Sequence, residues 1–168
     1  YSQWKWRSIG LIIHMAYEWA QRVGDMRTLE WSNIDLTNQT LDLEQSKRRA
    51  EVRLPIDDNL FKMLTEQHKD FGFQQYVAPA VEPQGRVYRP YESGDIHKLV
   101  NEVKAHAGLP PQITAMDLRR TGITQLVEGG VDTFGIMQVS GHSNPQSVKP
   151  YLVNTLTGST NALANRKK

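Results

Sequence analysis

The chain has 168 residues, 39% of them hydrophobic and 23% charged, which is the make-up of one folded domain and not of a disordered chain. There is no cysteine, so disulfides, thiolate metal sites and cysteine nucleophiles are excluded, and a reducing compartment is the expectation. The longest apolar run, Ile9 to Ile13, is far short of the roughly 20 residues of a membrane span. Net charge is only +2, so any affinity for an anionic partner has to come from clustering of cations. Lys47, Arg48, Arg49 and Arg53 form one such cluster and Arg166, Lys167 and Lys168 another, although a solvated surface explains either equally well.

In chain order, Ile9, Ile12, Ile13, Ala16, Trp19 and Ala20 recur at helical spacing and predict a helix from about Trp6 to Val23. Gly24 and Asp25 break it and open a short helix to about Trp31. A strand near Ile34 to Leu36 then leads through Asn38-Gln39 into two alternating runs, Leu41/Leu43 and Val52/Leu54. These predict a small three-stranded antiparallel sheet whose hairpin tip carries Ser46-Lys47-Arg48-Arg49. Asp57 and Asp58 sit where acids favour a helix start. Pro83, Gly85, Pro90 and Gly94 predict a long loop over Val81 to Gly94. Helices follow at Ser93 to His106, from a Thr114 cap to about Glu128, and from Asp132 through Val139. A turn at Ser140 to Pro145 precedes a last helix containing Tyr151. The fold expected is mainly α with one small sheet near the front.

Met116, Arg119, Ile123 and Leu126 share one face of their helix, which puts the Arg119 guanidinium on the inward side. A buried guanidinium needs an anion, either an internal carboxylate or an external group such as phosphate that arginine grips with two bonds. Arg22 extends the Met15–Trp19 stripe by one further helical step, with a bridge to Asp25 as its plainer role. A lone turn histidine and a lone helical tyrosine are ordinarily structural, but His142 lies in Gly141-His142-Ser143 and Tyr151 follows it by nine residues. A tyrosine attacking a phosphate needs dispersed cations around the non-bridging oxygens and a proton donor for the leaving oxygen. Lys47 on a hairpin tip can supply the proton, and surrounding cations favour the phenolate.

These residues are recognisable together. Arg22, Gly24, Asp25, Leu29, Trp31, Ile34 and Asp35, then Gln45-Ser46-Lys47 with Val52-Arg53-Leu54-Pro55, then Asp117-Leu118-Arg119-Arg120-Thr121, then Gly141-His142-Ser143 and Tyr151, stand in the order and spacing of the tyrosine recombinases. The chain resembles their catalytic domain, a DNA breaking-rejoining fold, and most closely that of phage and mobile-element integrases. The resemblance implies that Tyr151 attacks a DNA phosphate to form a covalent 3′-phosphotyrosine intermediate, and that Arg22, Arg119 and His142 hold the non-bridging oxygens. It implies that Lys47 protonates the leaving 5′ oxygen and that Asp25 orients Arg22. Arg48, Arg49 and Arg120 are expected to contact DNA. Neither metal nor other cofactor is implied, because the link conserves the phosphodiester energy and cations neutralise the phosphate.

One position departs: the family has a histidine three residues before the second arginine, and Met116 stands there, with no donor and no proton to carry. The partners implied are duplex DNA attachment sites and three further copies of the chain in a synaptic tetramer, on DNA in the cytoplasm of a bacterial host. The whole chain, 1–168, reads as one catalytic domain with a tail from about 153 to 168, and the resemblance implies DNA-binding regions ahead of it. Two other readings stay open at this point: a type IB topoisomerase-like enzyme, and a catalytically weak or silent DNA-binding module of the same fold.

Overall fold

A computed structural model describes residues 2–47, 49–81, 88–152, 160 and 163–164. Helix α1 (Ser2–Glu18) runs through the centre and buries Ile9, Ile12, Met15 and Ala16 completely. Its end differs from the expectation. The helix closes at Glu18 because Ala20 turns left-handed (φ +50°), with Ala20 N–H donating to Tyr17 O at 3.1 Å and Gln21 N–H to Ala16 O at 3.0 Å. This paired closure ordinarily uses glycine at the left-handed position. Here the glycine is on the partner helix. A Cβ at Gly122 of α5 (Ala115–Glu128) would stand 2.8 Å from Tyr17 O and 3.1 Å from the Ala20 Cβ. Arg22 therefore does not continue the α1 stripe; it lies in extended backbone as the residue capping α2 (Val23–Arg27).

A 3-10 turn (Trp31–Asn33) leads to the sheet, β1 (Ile34–Asp35), β2 (Thr40–Glu44) and β3 (Glu51–Pro55), antiparallel in that order. The register Leu41↔Leu54 and Leu43↔Val52 puts all four side chains on the core face, while Asp42 and Arg53 pair on the outer face at 3.4 Å. Helix α3 (Asp58–Phe71) starts where Asp57 accepts from Leu60 N–H at 2.7 Å, and it buries Leu60, Leu64 and Phe71.

The segment expected to be a long loop contains a small second sheet. β4 (Ala80–Val81) pairs antiparallel with β5 (Tyr88–Arg89), and residues 82–87 between them lie outside the described residues. Two-residue strands flanked by proline and glycine carry no periodicity that would reveal them. Helices α4 (Ser93–His106), α5 and α6 (Thr133–Ser140) stand where the sequence places them. A reciprocal Thr114–Asp117 cap opens α5, and Asp132 caps α6 by accepting from Gly135 N–H at 2.8 Å. The Thr114 N–H and hydroxyl both donate to Asp117, which holds its carboxyl below the ordinary carboxylate range.

The expected last helix is a pair of 3-10 turns, Pro145–Ser147 and Lys149–Tyr151, with prolines in each first turn. Tyr151 is thus carried on a single tight turn. Most of the tail, with Arg166, Lys167 and Lys168, lies outside the described residues. The apolar interior is divided: a large core gathers α1, α3, α4 and the sheet, and a small one joins Ala20, Ile123, Ile136 and Val148 under Tyr151. Among the described residues no helix is long and apolar enough to cross a membrane.

Candidate active site

Five elements converge on one cavity of about 430 Å³. Arg22 comes from the α2 cap, Lys47 from the β2–β3 hairpin tip, Arg119 from α5, His142 from the turn after α6, and Tyr151 from the last 3-10 turn. All five residues expected to act together line it. So do Arg120, Arg27 and His97, whereas no aspartate or glutamate does so among the described lining residues. A chain with a net charge of only +2 thus gathers five Lys and Arg side chains around one hollow. That arrangement suits a tetrahedral oxyanion such as phosphate.

The arginines are held from behind. Arg22 Nη1 donates to Gln45 Oε1 at 3.2 Å and stands 3.7 Å from Asp25 Oδ2, so the expected Arg22–Asp25 pair exists and still leaves the guanidinium facing the cavity. Asp25 is buried, and its Oδ1 accepts from Ser46 N–H at 3.1 Å and from the Ser46 hydroxyl at 2.5 Å. One carboxylate therefore fixes the hairpin beside Lys47 and the arginine together. Arg119, 8% exposed, donates from Nη2 to Ser140 O at 2.7 Å. That carbonyl belongs to the last turn of α6, where helix carbonyls lack intrahelical donors and the dipole favours a cation.

Gln45 links these two arginines through the Ser140 carbonyl, a role the sequence reading did not give it. It is fully buried, and its Nε2 donates to Gln21 Oε1 at 2.5 Å and to Ser140 O at 2.9 Å while its Oε1 receives Arg22. Gln21 in turn donates to Trp19 O and Val139 O, each at 2.7 Å. A signal for Gln45 existed: two-residue periodicity continues the inward face Leu41, Leu43 to position 45. Gly141 makes room for it, because a Cβ there would come within 2.5–2.7 Å of the Gln45 amide, and φ is +67° as well.

His142, 9% exposed, has its Nδ1 2.7 Å from the Ser140 hydroxyl, and its ring lies 6.1 Å from that of Tyr151 at a 51° tilt. Tyr151 is half-buried over the small core, with its N–H donating to Val148 O at 2.9 Å.

Other expected residues fall differently. Arg49 stands outside the cavity, pairs with Glu44 at 2.9 Å and is 83% exposed. Arg48 lies outside the described residues. Arg120 lines the cavity at its exposed rim, 4.0 Å from Asp117. Met116 also lines it, but at 75% exposure it is not part of an inward apolar face; in that first turn of α5 Ala115 and Leu118 are the residues that pack against the core. Arg27, with Nη1 donating to Tyr91 O at 2.5 Å, and His97 were not legible, since nothing in their spacing links α2 or α4 to this hollow. Among the described residues no three histidine, aspartate or glutamate side chains gather as metal ligands would.

Comparison with known proteins agrees with this architecture. Residues 6–156 match the model of the phage integrase family. Tyrosine recombinase XerC of Pediococcus pentosaceus is 24% identical over 145 residues, covering 83% of this chain and 48% of that protein. The crystal structure of XerA recombinase superposes with a TM-score of 0.74 at 16% identity, over 100% of this chain and 64% of that one. A lambda integrase dimer bound to a COC′ core site gives 0.68 at 21% identity, over 88% of this chain and 42% of that one. Tn1549 transposon integrase in complex with a circular intermediate DNA gives 0.74 at 14% identity, over 95% of this chain and 58% of that one. The chain spans about half the length of the relatives it matches. It belongs to the phage integrase family, with the fold of a tyrosine recombinase catalytic domain.

Proposed function

We propose that this chain is the catalytic domain of a site-specific DNA recombinase that integrates or excises a phage or other mobile element. The observation that carries the reading is the meeting of Arg22, Lys47, Arg119, His142 and Tyr151, from five separate elements, on one cavity without a carboxylate among its described lining residues. The Tyr151 oxygen attacks the scissile phosphorus. The bond to the 5′ oxygen breaks, and Lys47 gives that oxygen its proton. Arg22 and Arg119 hold the non-bridging oxygens and offset the charge that grows on them. The 3′-phosphotyrosine link retains the phosphodiester energy, so a 5′-hydroxyl from a second strand can reverse the step without ATP. His142 shares that hold on the non-bridging oxygens, the Tyr151 proton leaves to solvent, and Asp25 keeps Arg22 in place.

Duplex DNA is the partner, held largely through phosphates. The lambda and Tn1549 integrases whose structures resemble this one are bound to DNA, which supports that choice. Strand exchange between two duplexes requires four copies of the chain.

The experiment is incubation with a nicked suicide duplex that traps the covalent state, read on a denaturing gel. The wild-type chain is expected to give a protein–DNA adduct, and Tyr151→Phe to give none while binding DNA as before, because the substitution removes a nucleophile and no cation. Adducts that persist in Tyr151→Phe would assign the attack to another residue. DNA binding with no adduct from wild type would make the chain a silent binding module.

A further inference from the structure

The Gln45 carboxamide has only one orientation open to it. Arg22 is a donor only, so the atom 3.2 Å from its Nη1 is the amide oxygen. The Ser140 carbonyl is an acceptor only, so the atom 2.9 Å from it is the amide nitrogen. The second hydrogen of that nitrogen goes to Gln21 Oε1 at 2.5 Å. Gln21 is fixed by the same logic, because its own Nε2 faces two carbonyls, Trp19 O and Val139 O. Both glutamines are fully buried. The Ser140 carbonyl also receives Arg119 Nη2, at 2.7 Å. One neutral side chain thus touches Arg22 directly and reaches Arg119 through a single shared oxygen. Among side chains of this length only glutamine ends in an acceptor and two donors without a charge. A glutamate would set oxygen against Ser140 O and Gln21 Oε1 and put an anion beside the cationic cavity. A methionine would fill similar space and make none of these bonds.

We propose that Gln45 is a positioning residue that fixes Arg22 and Arg119 relative to each other, so that both guanidiniums meet the non-bridging oxygens of one phosphate. The inference rests on the strand-cleavage reading above. The two arginines come from different elements, the α2 cap and α5, and nothing in the local chain sets the distance between them. Asp25, bonded to Ser46 and beside Arg22, holds that arginine to the hairpin. The Gln45 bonds carry the hold across to the end of α6, where Arg119 is attached. A long side chain on several rotors has to be held if it is to offset charge at a defined place, and a small displacement of such a donor is costly in rate. No bond forms or breaks at Gln45 itself. Its effect on the reaction passes through the arginines.

The test sets Gln45→Met against Gln21→Met in the 168-residue chain. Gln21 belongs to the same buried network but has no bond to either arginine among the described residues, so its loss reports what removing a buried amide does by itself. Single-turnover adduct formation is read on two suicide duplexes, one with an ordinary scissile phosphate and one with a methylphosphonate there. The methylphosphonate group is neutral and leaves no charge for two guanidiniums to share. Gln45→Met is expected to slow adduct formation on the phosphate by about tenfold to a hundredfold. Gln21→Met is expected to cost only a small part of that, and the Gln45→Met loss is expected to shrink sharply on at least one methylphosphonate diastereomer. The same loss on the phosphate and on both diastereomers overturns the proposal. So does equal slowing by the two variants, or a Gln45→Met chain that cleaves at the wild-type rate. A second readout needs no catalysis: proton–nitrogen NMR of the Arg22 guanidinium gives separate Nη signals when the group is held and an averaged signal when it turns freely. Wild type is expected to give separate signals and Gln45→Met an averaged one. An averaged wild-type signal overturns the proposal with no variant needed, and so does a Gln45→Met chain that keeps separate signals. If wild type forms no adduct, the strand-cleavage reading fails, while the NMR arm still judges the hold of Gln45 on Arg22.

Discussion

The large core and the small one support the site in different ways. Around α1 the chain buries Ile9, Ile12, Met15, Leu41, Leu60 and Leu64 with essentially no exposure, and Arg22 and Lys47 are anchored to that mass through α2 and the hairpin. Under Tyr151 the fully enclosed apolar residues are Ala20, Ile123, Ile136 and Val148. Arg119, His142 and Tyr151 stand over this thinner support, and directed bonds tie it to the rest: Gln45 to Ser140 O, Arg119 to the same carbonyl, and Gln21 to Val139 O. Apolar packing fixes where α5 and α6 lie, whereas hydrogen bonds fix where the side chains point. Regions with few buried apolar contacts open most readily, and a residue that must reach a phosphate, attach to it and let go belongs on such a region.

Substitutions can break this division, and the greatest effect is expected at the hairpin. Lys47→Ala should slow cleavage by about 10²–10⁴-fold, the ordinary worth of a general acid. The loss should nearly vanish when the leaving 5′ oxygen is replaced by sulfur, which departs without a proton. Equal losses on both substrates would reduce Lys47 to a phosphate contact.

Next come matched truncations of the two cores. Leu64→Ala and Ile136→Ala each delete comparable buried volume, for which about 2–5 kcal/mol is typical. Leu64→Ala should lower the global unfolding free energy and weaken amide-exchange protection throughout. Ile136→Ala should deprotect α5, α6 and the last turns first, and depress adduct formation while α1 and the sheet stay protected. Loss of protection spread evenly in both variants would show a single cooperative unit instead of two regions.

The seam between the regions is tested at Gly122. Its Cβ would meet Tyr17 O at 2.8 Å, a backbone atom that cannot swing aside, so Gly122→Ala should cost about 1–3 kcal/mol as overpacking does. A thermal melt unchanged from wild type would mean that α5 can shift away from α1 freely.

The smallest effect is expected at the cavity mouth. Met116→His should leave the melting temperature nearly unchanged, since the side chain is 75% exposed, and should not lower cleavage. If the imidazole donates to the phosphate, cleavage rises. A stable variant whose cleavage falls tenfold would give the methionine a role of its own.

Much of this arrangement was legible in the residues themselves. Helical spacing located α1, α4, α5 and α6, and two-residue alternation located the sheet. Thr114, Asp132 and Asp57 marked helix starts through their own side chains. Those signals are local, and the physics that makes them, backbone hydrogen bonding and the burial of one face, acts within a few residues. The motif residues Arg22, Lys47, Arg119, His142 and Tyr151 were singled out by their order and spacing along the chain and the resemblance these carry, and the cavity brings them together. What the sequence by itself could not decide depends on chain segments far apart in it. The end of α1 is set by a glycine on α5 that admits a left-handed Ala20, and this swings Arg22 out of the helical stripe. Gln45 reaches Ser140 across 95 residues, so neither residue's neighbours reveal that they meet. Met116 is exposed while its neighbours Ala115 and Leu118 meet the core, so which side of the first turn of α5 is covered depends on the elements packed there. Contacts of this kind arise only when the elements pack, and there a single hydroxyl, Ser140, comes to lie against both a helix carbonyl and the ring of His142.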